Sequence, residues 1–154
     1  MTPRLDWIRI VPRGVQAMFG LQGYVNNSGL EYSLLELVKM RASQINGCAY
    51  CLDMHFKDAT AAGETAQRLY LLDAWREVKF YSERERAALA WTEALTLITE
   101  GHVPDAVFDE ARRHFNDEEL ANLSLAVVAV NSWNRLQVAF RPETGAYQPG
   151  AAKL

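Results

Sequence analysis

The chain has 154 residues, 49% of them apolar, and its formal net charge at pH 7 is -3, which fits one compact domain of ordinary size. Its Lys and Arg residues are scattered among Asp and Glu without a basic stripe, which argues against a nucleic-acid partner and favours a small neutral substrate or a protein. The first residues lack the apolar core of a signal peptide, and the longest apolar run, residues 125–130, is far shorter than the ~18 residues of a membrane span, so we expect a cytoplasmic protein with no membrane partner.

Helical periodicity dominates the chain. Apolar residues recur at intervals of three and four between a few glycines and prolines, and no run of alternating β-branched residues indicates a strand. These patterns predict an all-α protein. After an irregular N-terminal lead, we expect helices over about 12–25, 32–44, 48–62, 65–75, 82–98, 104–115 and 117–140.

Several residues mark where these helices begin and end. Asn46-Gly47 is a ready stop and tight turn, and Gly63 is placed to follow the next helix. Capping boxes are predicted for Ser82 with Glu85 and for Asn116 with Glu119. Arg141-Pro142 ends the last helix, and we expect the tail, residues 143–154, to be loosely ordered. No repeat or linker divides the chain, so we predict a single domain over residues 1–154 with its core at about 32–140.

The two cysteines of the chain, Cys48 and Cys51, are separated by two residues, and His55 follows four residues later. In a reducing compartment such a close pair points to catalysis, redox sensing or metal binding. If a helix starts at the cysteines, the three side chains share one face. A helix N-terminus and an imidazole each favour the reactive thiolate, whose pKa in free cysteine is ~8.5. His55 leans back over Cys51 and is the candidate base.

Geometry adds Glu36 to this group. If the helices before and after Asn46-Gly47 form an antiparallel hairpin, reflection through the turn brings Glu36 level with about Lys57, close to His55 at ~1.5 Å rise per residue. A carboxylate at that position orients the imidazole and supports proton transfer, as the acid behind a base does in other nucleophilic sites.

With these four residues, the sequence resembles the AhpD-like alkylhydroperoxidases of the carboxymuconolactone decarboxylase family. The family pattern is a Glu, eleven residues, Cys-x-x-Cys, three residues and a His, which matches Glu36, Cys48, Cys51 and His55. The resemblance extends over about residues 32–140. It implies an AhpD-like helical bundle built round a helix hairpin that carries the Cys-x-x-Cys motif.

The resemblance also implies a function. It implies a peroxidase that reduces hydrogen peroxide or small organic hydroperoxides, takes electrons from a lipoyl or thioredoxin-type dithiol, and works as a homo-oligomer, a trimer or hexamer. In the family scheme Cys51 attacks the peroxide and Cys48 resolves the sulfenic acid, while His55 and Glu36 relay the proton. Tyr50 is a departure, because the founding AhpD proteins carry a histidine at that position.

Other interpretations of the cysteine pair remain open. Two small apolar residues packed in a helix hairpin would look the same in sequence. Zinc would lack a ligand, since two thiols and one histidine do not complete a tetrahedral site. Covalent haem needs a histidine directly after the second cysteine, where Leu52 stands. We therefore predict no metal and no cofactor.

Three other functions share parts of the motif. A disulfide-exchange adaptor would pass electrons to a separate peroxidase. The decarboxylase chemistry that named the family works without a redox thiol pair, so the cysteines argue against it. A non-enzymatic oxidant sensor would change its assembly or its partner on oxidation.

The remaining polar and aromatic residues are expected to be structural. His102 and His114 are predicted to lie on the surface, and Asn131 and Asn134 to form hydrogen bonds between helices. The large aromatic residues are interpreted as core or subunit contacts rather than substrate contacts; they are Phe19, Trp75, Trp91 and Trp133.

Overall fold

The computed structural model of the protein describes residues 2–150, and within that range the chain forms eight α-helices, one 3₁₀ turn and no strand. The prediction of an all-α fold is confirmed. The helices are α1 (Trp7–Ile10), α2 (Pro12–Asn26), α3 (Tyr32–Asn46), α4 (Ala49–Ala61), α5 (Ala66–Tyr70), α6 (Glu83–Thr96), α7 (Asp105–His114) and α8 (Asp117–Phe140), with the 3₁₀ turn at Leu72–Ala74.

Two stretches differ from the predicted elements. The N-terminal lead contains the short helix α1, capped by the Asp6 side chain, which accepts from the Arg9 N–H. The single helix expected over 65–75 is instead α5 followed by the 3₁₀ turn. Leu69, Leu72 and Trp75 are all buried and recur every three residues, the period at which 3₁₀ side chains eclipse, so tightening the chain keeps all three in the core.

Helix α3 is the centre of the bundle and packs against α4, α6 and α8. Leu35 and Val38 face a hydrophobic cluster shared with α2, α6, α7 and α8, whereas Leu37 and Met40 face a second cluster shared with α4, α5 and the 3₁₀ turn. The helix is therefore buried around most of its circumference. Its two buried charged residues must find partners inside the protein, because an isolated charge there is costly.

The turn between α3 and α4 creates the helix hairpin. Gly47 has φ +63°, and the N–H groups of Gly47 and Cys48 donate to the carbonyls of Gln44 and Ser43, a Schellman arrangement that ends α3. Gly63, with φ +96°, ends α4 in the same way through the Glu64 N–H. Both predicted capping boxes, at Ser82 and Asn116, are also present.

The C-terminal segment after α8 runs back along α4. From the sequence we expect a loose tail; in the structure the Gly145 N–H donates to Asp53 Oδ2 at 3.2 Å, and Lys57 Nζ donates to the carbonyls of Gly145 and Tyr147 at 2.9 and 3.1 Å. The Tyr147 hydroxyl donates to Asp58 Oδ1 at 2.7 Å. The polar face of α4 thus supplies partners for the tail backbone. We call residues 142–148 the C-terminal strap; residues 151–154 of the expected loose tail lie outside the described residues.

None of the helices in residues 2–150 combines the length and apolar composition needed to cross a bilayer.

Candidate active site

The cysteine pair lies where the hairpin turn enters α4. Cys48 is the N-cap residue and its Sγ accepts from the Cys51 N–H at 3.3 Å, which puts Cys51 in the first helical turn. The two residues form a disulfide, and their exposed fractions are 1% and 2%. The free N–H groups and positive dipole end of α4 favour negative charge on sulfur at this place.

Glu36 and His55 face each other across the hairpin. Glu36 Oε2 lies 3.0 Å from His55 Nδ1, and both side chains are buried. The structure therefore brings together all four residues that the sequence selects, Cys48 and Cys51 at the start of α4, His55 one turn later, and Glu36 on α3.

Lys39 is a member of the site that sequence reasoning misses. Its Nζ lies 2.9 Å from Glu36 Oε1, so the two carboxylate oxygens are divided between Lys39 and His55. The side chain is buried, with 3% of the residue exposed, and its Nζ also lies 3.5 Å from Asn26 Oδ1. A signal was present in the sequence, because Glu36 and Lys39 are three residues apart in an otherwise apolar run. We call Glu36, Lys39 and His55 the acid–base cluster.

The cluster holds Glu36 in its ionised form. Burial alone would raise the pKa of Glu36, but the hydrogen bond and charge of His55 and the ammonium of Lys39 outweigh burial and lower the pKa to about 2. An ionised carboxylate only accepts hydrogen bonds, so the proton of neutral His55 sits on Nδ1 and points at Glu36. In the neutral imidazole, His55 Nε2 then carries the free lone pair that a general base requires.

A cavity of about 470 Å³ opens beside the cysteines. Cys51 and His55 line it, as does Lys39, whereas Cys48 is not among its lining residues in the part of the chain that the structure describes. Its other walls are mainly apolar and include Ile8, Phe19, Met54, Val130 and Trp133. Ala146 and Tyr147 of the C-terminal strap complete the wall. The cavity therefore borders one residue of the pair, Cys51, and its mainly apolar walls suit a small, largely apolar molecule.

Two aromatic residues have a different place from the one expected. Trp75 and Trp91 are core residues as predicted, with 4% and 7% of each exposed. Phe19 and Trp133 instead form part of the cavity wall, with ring centroids 5.2 Å apart. Sequence could not separate these pairs, because only the packing of α2 against α8 decides which rings border a void.

A second group of polar side chains, largely buried, joins the hairpin turn to α8. Asn46 Nδ2 donates to Asn131 Oδ1 and Asn134 Oδ1 at 3.0 and 2.9 Å, and Asn134 Nδ2 donates to Ser43 Oγ at 3.0 Å. The predicted interhelical role of Asn131 and Asn134 is confirmed. We call Ser43, Asn46, Asn131 and Asn134 the amide cluster.

The other two histidines do not join the site. His102 is exposed in the turn after α6, and His114 pairs with Glu110 at 3.2 Å on α7. Within residues 2–150, no group of three His, Cys, Asp or Glu side chains is arranged to hold a metal ion.

Comparison with known proteins defines the family. The sequence profile of the carboxymuconolactone decarboxylase family matches residues 12–94. The uncharacterized protein YdfG of Bacillus subtilis (strain 168) is 42% identical over 139 residues, which cover 90% of this chain and 95% of YdfG. A crystal structure from Agrobacterium tumefaciens superimposes with a TM-score of 0.92 at 41% identity, covering 95% of this chain and all of that one; the function of that protein is unknown, and a role as the antioxidant defence protein AhpD has been suggested for it.

The debrominase Bmp8 has the same fold, with a TM-score of 0.81 at 24% identity, over 90% of this chain and 75% of its own. Sequence profile, full-length relative and structural neighbour agree, and the chain belongs to the carboxymuconolactone decarboxylase family, with an AhpD-like fold.

Proposed function

We propose that the protein is a thiol-dependent peroxidase that reduces small organic hydroperoxides, and hydrogen peroxide, through Cys48 and Cys51. Family membership and the AhpD role suggested for the Agrobacterium relative support an antioxidant enzyme. The observation that carries the proposal is the position of Cys51 and His55 on the wall of one apolar cavity, with ionised Glu36 behind His55.

The proposed reaction balances with one peroxide and one dithiol. The Cys51 thiolate attacks the terminal oxygen of the hydroperoxide, the O–O bond breaks, and the alkoxide leaves and takes up a proton to become the alcohol. Cys51 is then a sulfenic acid. The Cys48 sulfur attacks it, forms the disulfide and releases water. A dithiol donor reduces the disulfide and is itself oxidised, which returns both thiols.

In this scheme His55 moves the proton and Glu36 holds His55. His55 Nε2 takes the Cys51 proton and returns one to the leaving alkoxide. Because the pKa of Glu36 is lowered to about 2, its carboxylate orients and stabilises the imidazolium rather than accepting the proton itself. The resemblance implies a proton relay through both His55 and Glu36. In our scheme only His55 carries the mobile proton, and Glu36 remains a fixed negative charge next to it.

The cavity bears on substrate and reductant. Its apolar walls favour an organic hydroperoxide over hydrogen peroxide, because only the former gains from leaving water. Cys51 is almost fully covered, which favours a slender lipoyl-type dithiol arm over a surface cysteine of a thioredoxin-type donor. Turnover with dihydrolipoamide and cumene hydroperoxide, compared with thioredoxin and hydrogen peroxide, tests both preferences.

Stopped-flow peroxide addition to the reduced protein, with mass spectrometry of both cysteines, tests the function. Cys51→Ser is expected to abolish peroxide consumption, because the attacking sulfur is gone. Cys48→Ser is expected to consume about one equivalent and accumulate Cys51 sulfenic acid, because the resolving thiol is absent. Equal turnover in both variants and in wild type would reject the peroxidase.

Two rival activities have their own signatures. Negligible peroxide consumption with fast disulfide exchange would identify an adaptor that serves a separate peroxidase. Decarboxylase activity that survives replacement of both cysteines would return the protein to the chemistry that named its family.

We also propose that this single-domain protein works in the cytoplasm as a homo-oligomer, a trimer or hexamer. Exposed apolar side chains on α2 and α8, including Tyr24, Leu125 and Val128, offer surface for subunit contacts. Light scattering of the purified protein checks the assembly state.

A further inference from the structure

We propose that Lys39 is a positioning residue of the thiol site, whose buried ammonium balances the charge of Glu36 and so keeps His55 neutral and able to accept the proton of Cys51. This inference rests on the proposed function and deepens it. The family pattern of Glu, two Cys and His does not include Lys39, which enters on its position in the structure.

The geometry makes Lys39 and His55 competitors for one carboxylate. Lys39 Nζ contacts Glu36 Oε1 at 2.9 Å, and His55 Nδ1 contacts Glu36 Oε2 at 3.0 Å. All three side chains are at least nine-tenths buried, so water screens their charges little. The charge on any one of them therefore changes how strongly the other two hold protons.

Counting charges gives the direction of the effect. With Lys39 protonated and Glu36 ionised, the cluster has no net charge while His55 is neutral. It also stays neutral, together with Cys51, when the thiol proton moves to His55. Without Lys39, the cluster carries one extra negative charge, and both His55 and the thiol hold their protons more tightly. When the thiol proton is lost to solvent, the equilibrium that the pH dependence of alkylation reports, the cationic Lys39 side chain thus favours the thiolate state of Cys51.

Other titratable groups facing the site come from three elements. They are Tyr32 on α3, Tyr50 and Asp58 on α4, and Glu143 and Tyr147 on the C-terminal strap. Burial, aided by nearby carboxylates, raises the pKa of all three phenols, so they stay neutral between pH 5 and pH 9. Helices α2 and α8 contribute only uncharged polar groups to the cavity wall, Gln22 and Gln137. Lys39 is the cation in contact with Glu36.

The test measures the pH dependence of Cys51 alkylation in a Cys48→Ser background, where the disulfide cannot form. Iodoacetamide is the probe, and peptide mass spectrometry identifies the alkylated residue. Lys39→Met keeps the length of the side chain and removes its charge. We expect the midpoint of the rate profile to move to higher pH by about one unit, which is about a tenfold slower reaction below the midpoint. Lys39→Arg keeps the charge and should stay within about 0.3 unit of the parent.

A second readout follows His55 directly. The chain has three histidines, so the His55 ring signals can be assigned in an NMR titration with a His55→Gln variant. In Lys39→Met, the Glu36–His55 pair should take up its proton at higher pH than in the parent. A merely structural role for Lys39 would lower stability and leave this titration in place.

Arg41→Met is the matched control. Arg41 lies on the same helix, its side chain is 12% exposed, and it pairs with Glu93 on α6 at 2.7 Å rather than with Glu36. Its loss should destabilise the protein without moving either pH profile. An equal shift in Arg41→Met and Lys39→Met would overturn the inference, as would an unshifted Lys39→Met.

If Lys39→Met does not fold, the pair Glu36→Gln and Glu36→Gln/Lys39→Met replaces it. Removing the charge of Lys39 in the Glu36→Gln background should again move the alkylation profile to higher pH, and an unchanged profile would contradict the inference.

Neither the alkylation profile nor the NMR titration uses peroxide. A protein that shows the shifts but consumes no peroxide would reject the proposed peroxidase alone, whereas an active peroxidase without the shifts would reject the role of Lys39.

Discussion

The acid–base cluster and the amide cluster are two largely buried polar groups that share helix α3, and they differ in charge. Glu36 and Lys39 lie in the first half of α3 and join His55 of α4, whereas Ser43 and Asn46 lie in its last turn and join α8. The first cluster borders the cavity and contains groups that exchange protons. The second has no titratable member and holds the turn that leads to Cys48; the Arg135 guanidinium donates to its Asn131 Oδ1 at 2.8 Å.

This difference in charge indicates that the two clusters have different roles. A neutral hydrogen-bonded network can be fully satisfied and adds about 1 kcal/mol per bond to the free energy of unfolding. A buried ion pair gains less, because taking both ions out of water cancels much of their attraction, but losing one partner leaves an uncompensated charge. The amide cluster therefore suits positioning, and the acid–base cluster suits chemistry at the expense of sensitivity to mutation and pH.

The largest effect is expected from breaking the acid–base cluster with Glu36→Gln. The variant keeps the shape of the side chain but leaves the Lys39 ammonium buried without an anion. We expect the free energy of unfolding to fall by about 3 kcal/mol. Urea titration of the oxidised protein at pH 7 measures this. Glu36→Gln/Lys39→Met removes both charges and should be less destabilised than the single variant; the reverse order would mean that the contact with Asn26 is enough to stabilise the buried ammonium.

The acid–base cluster also predicts the acid limb of stability, that is, how the free energy of unfolding falls at low pH. The pKa of Glu36 is about 2 in the folded protein, against an ordinary value of 4.5. A lowered pKa means that its contribution is fully present above pH 4.5 and is lost as pH falls toward 2. The wild-type urea midpoint should therefore drop over this range more than that of Glu36→Gln/Lys39→Met. Equal slopes would show that other carboxylates dominate acid unfolding.

A smaller effect is expected from opening the amide cluster with Asn46→Ala. The substitution removes the donor to both Asn131 Oδ1 and Asn134 Oδ1. We expect a loss of about 2 kcal/mol in the free energy of unfolding, with no change in the acid limb, because the substitution removes no contact to a carboxylate or a histidine. Ser132→Ala is the control, since that hydroxyl donates only to the Val128 carbonyl of its own helix. If Asn46→Ala altered the acid limb, the two clusters would be coupled.

The contrast between the clusters also explains what sequence could predict. The Glu36–His55 contact follows from helical spacing and one turn, because Asn46-Gly47 sets the axis of the hairpin. The amide contacts follow from the presence of polar residues on an apolar helix. Both sets of contacts can be predicted from short-range sequence patterns.

Such short-range patterns do not predict the burial of Lys39, the place of Phe19 on the cavity wall or the contacts of the strap. Lysine on a helix is usually solvated, and the apolar run around Lys39 does not by itself show that its ammonium is buried against Glu36. Phe19 borders the cavity only because α2 packs against α8. The strap is held by Lys57 and by two carboxylates that lie 88 to 92 residues earlier in the chain, and long-range contacts of that kind leave no periodic pattern.

The smallest effect, and the finest comparison, comes from the two glycines that bound α4. Gly47 and Gly63 both have positive φ, and a Cβ at either would meet no atom within 4 Å, so Ala costs only backbone strain, about 1 kcal/mol at each. Only Gly47 adjoins Cys48 and the amide cluster. We therefore expect Gly47→Ala and Gly63→Ala to lower stability similarly, but only Gly47→Ala to slow disulfide formation after peroxide addition. Equal slowing in both variants would mean that the turn contributes stability alone, and that the amide cluster has no part in placing the resolving sulfur.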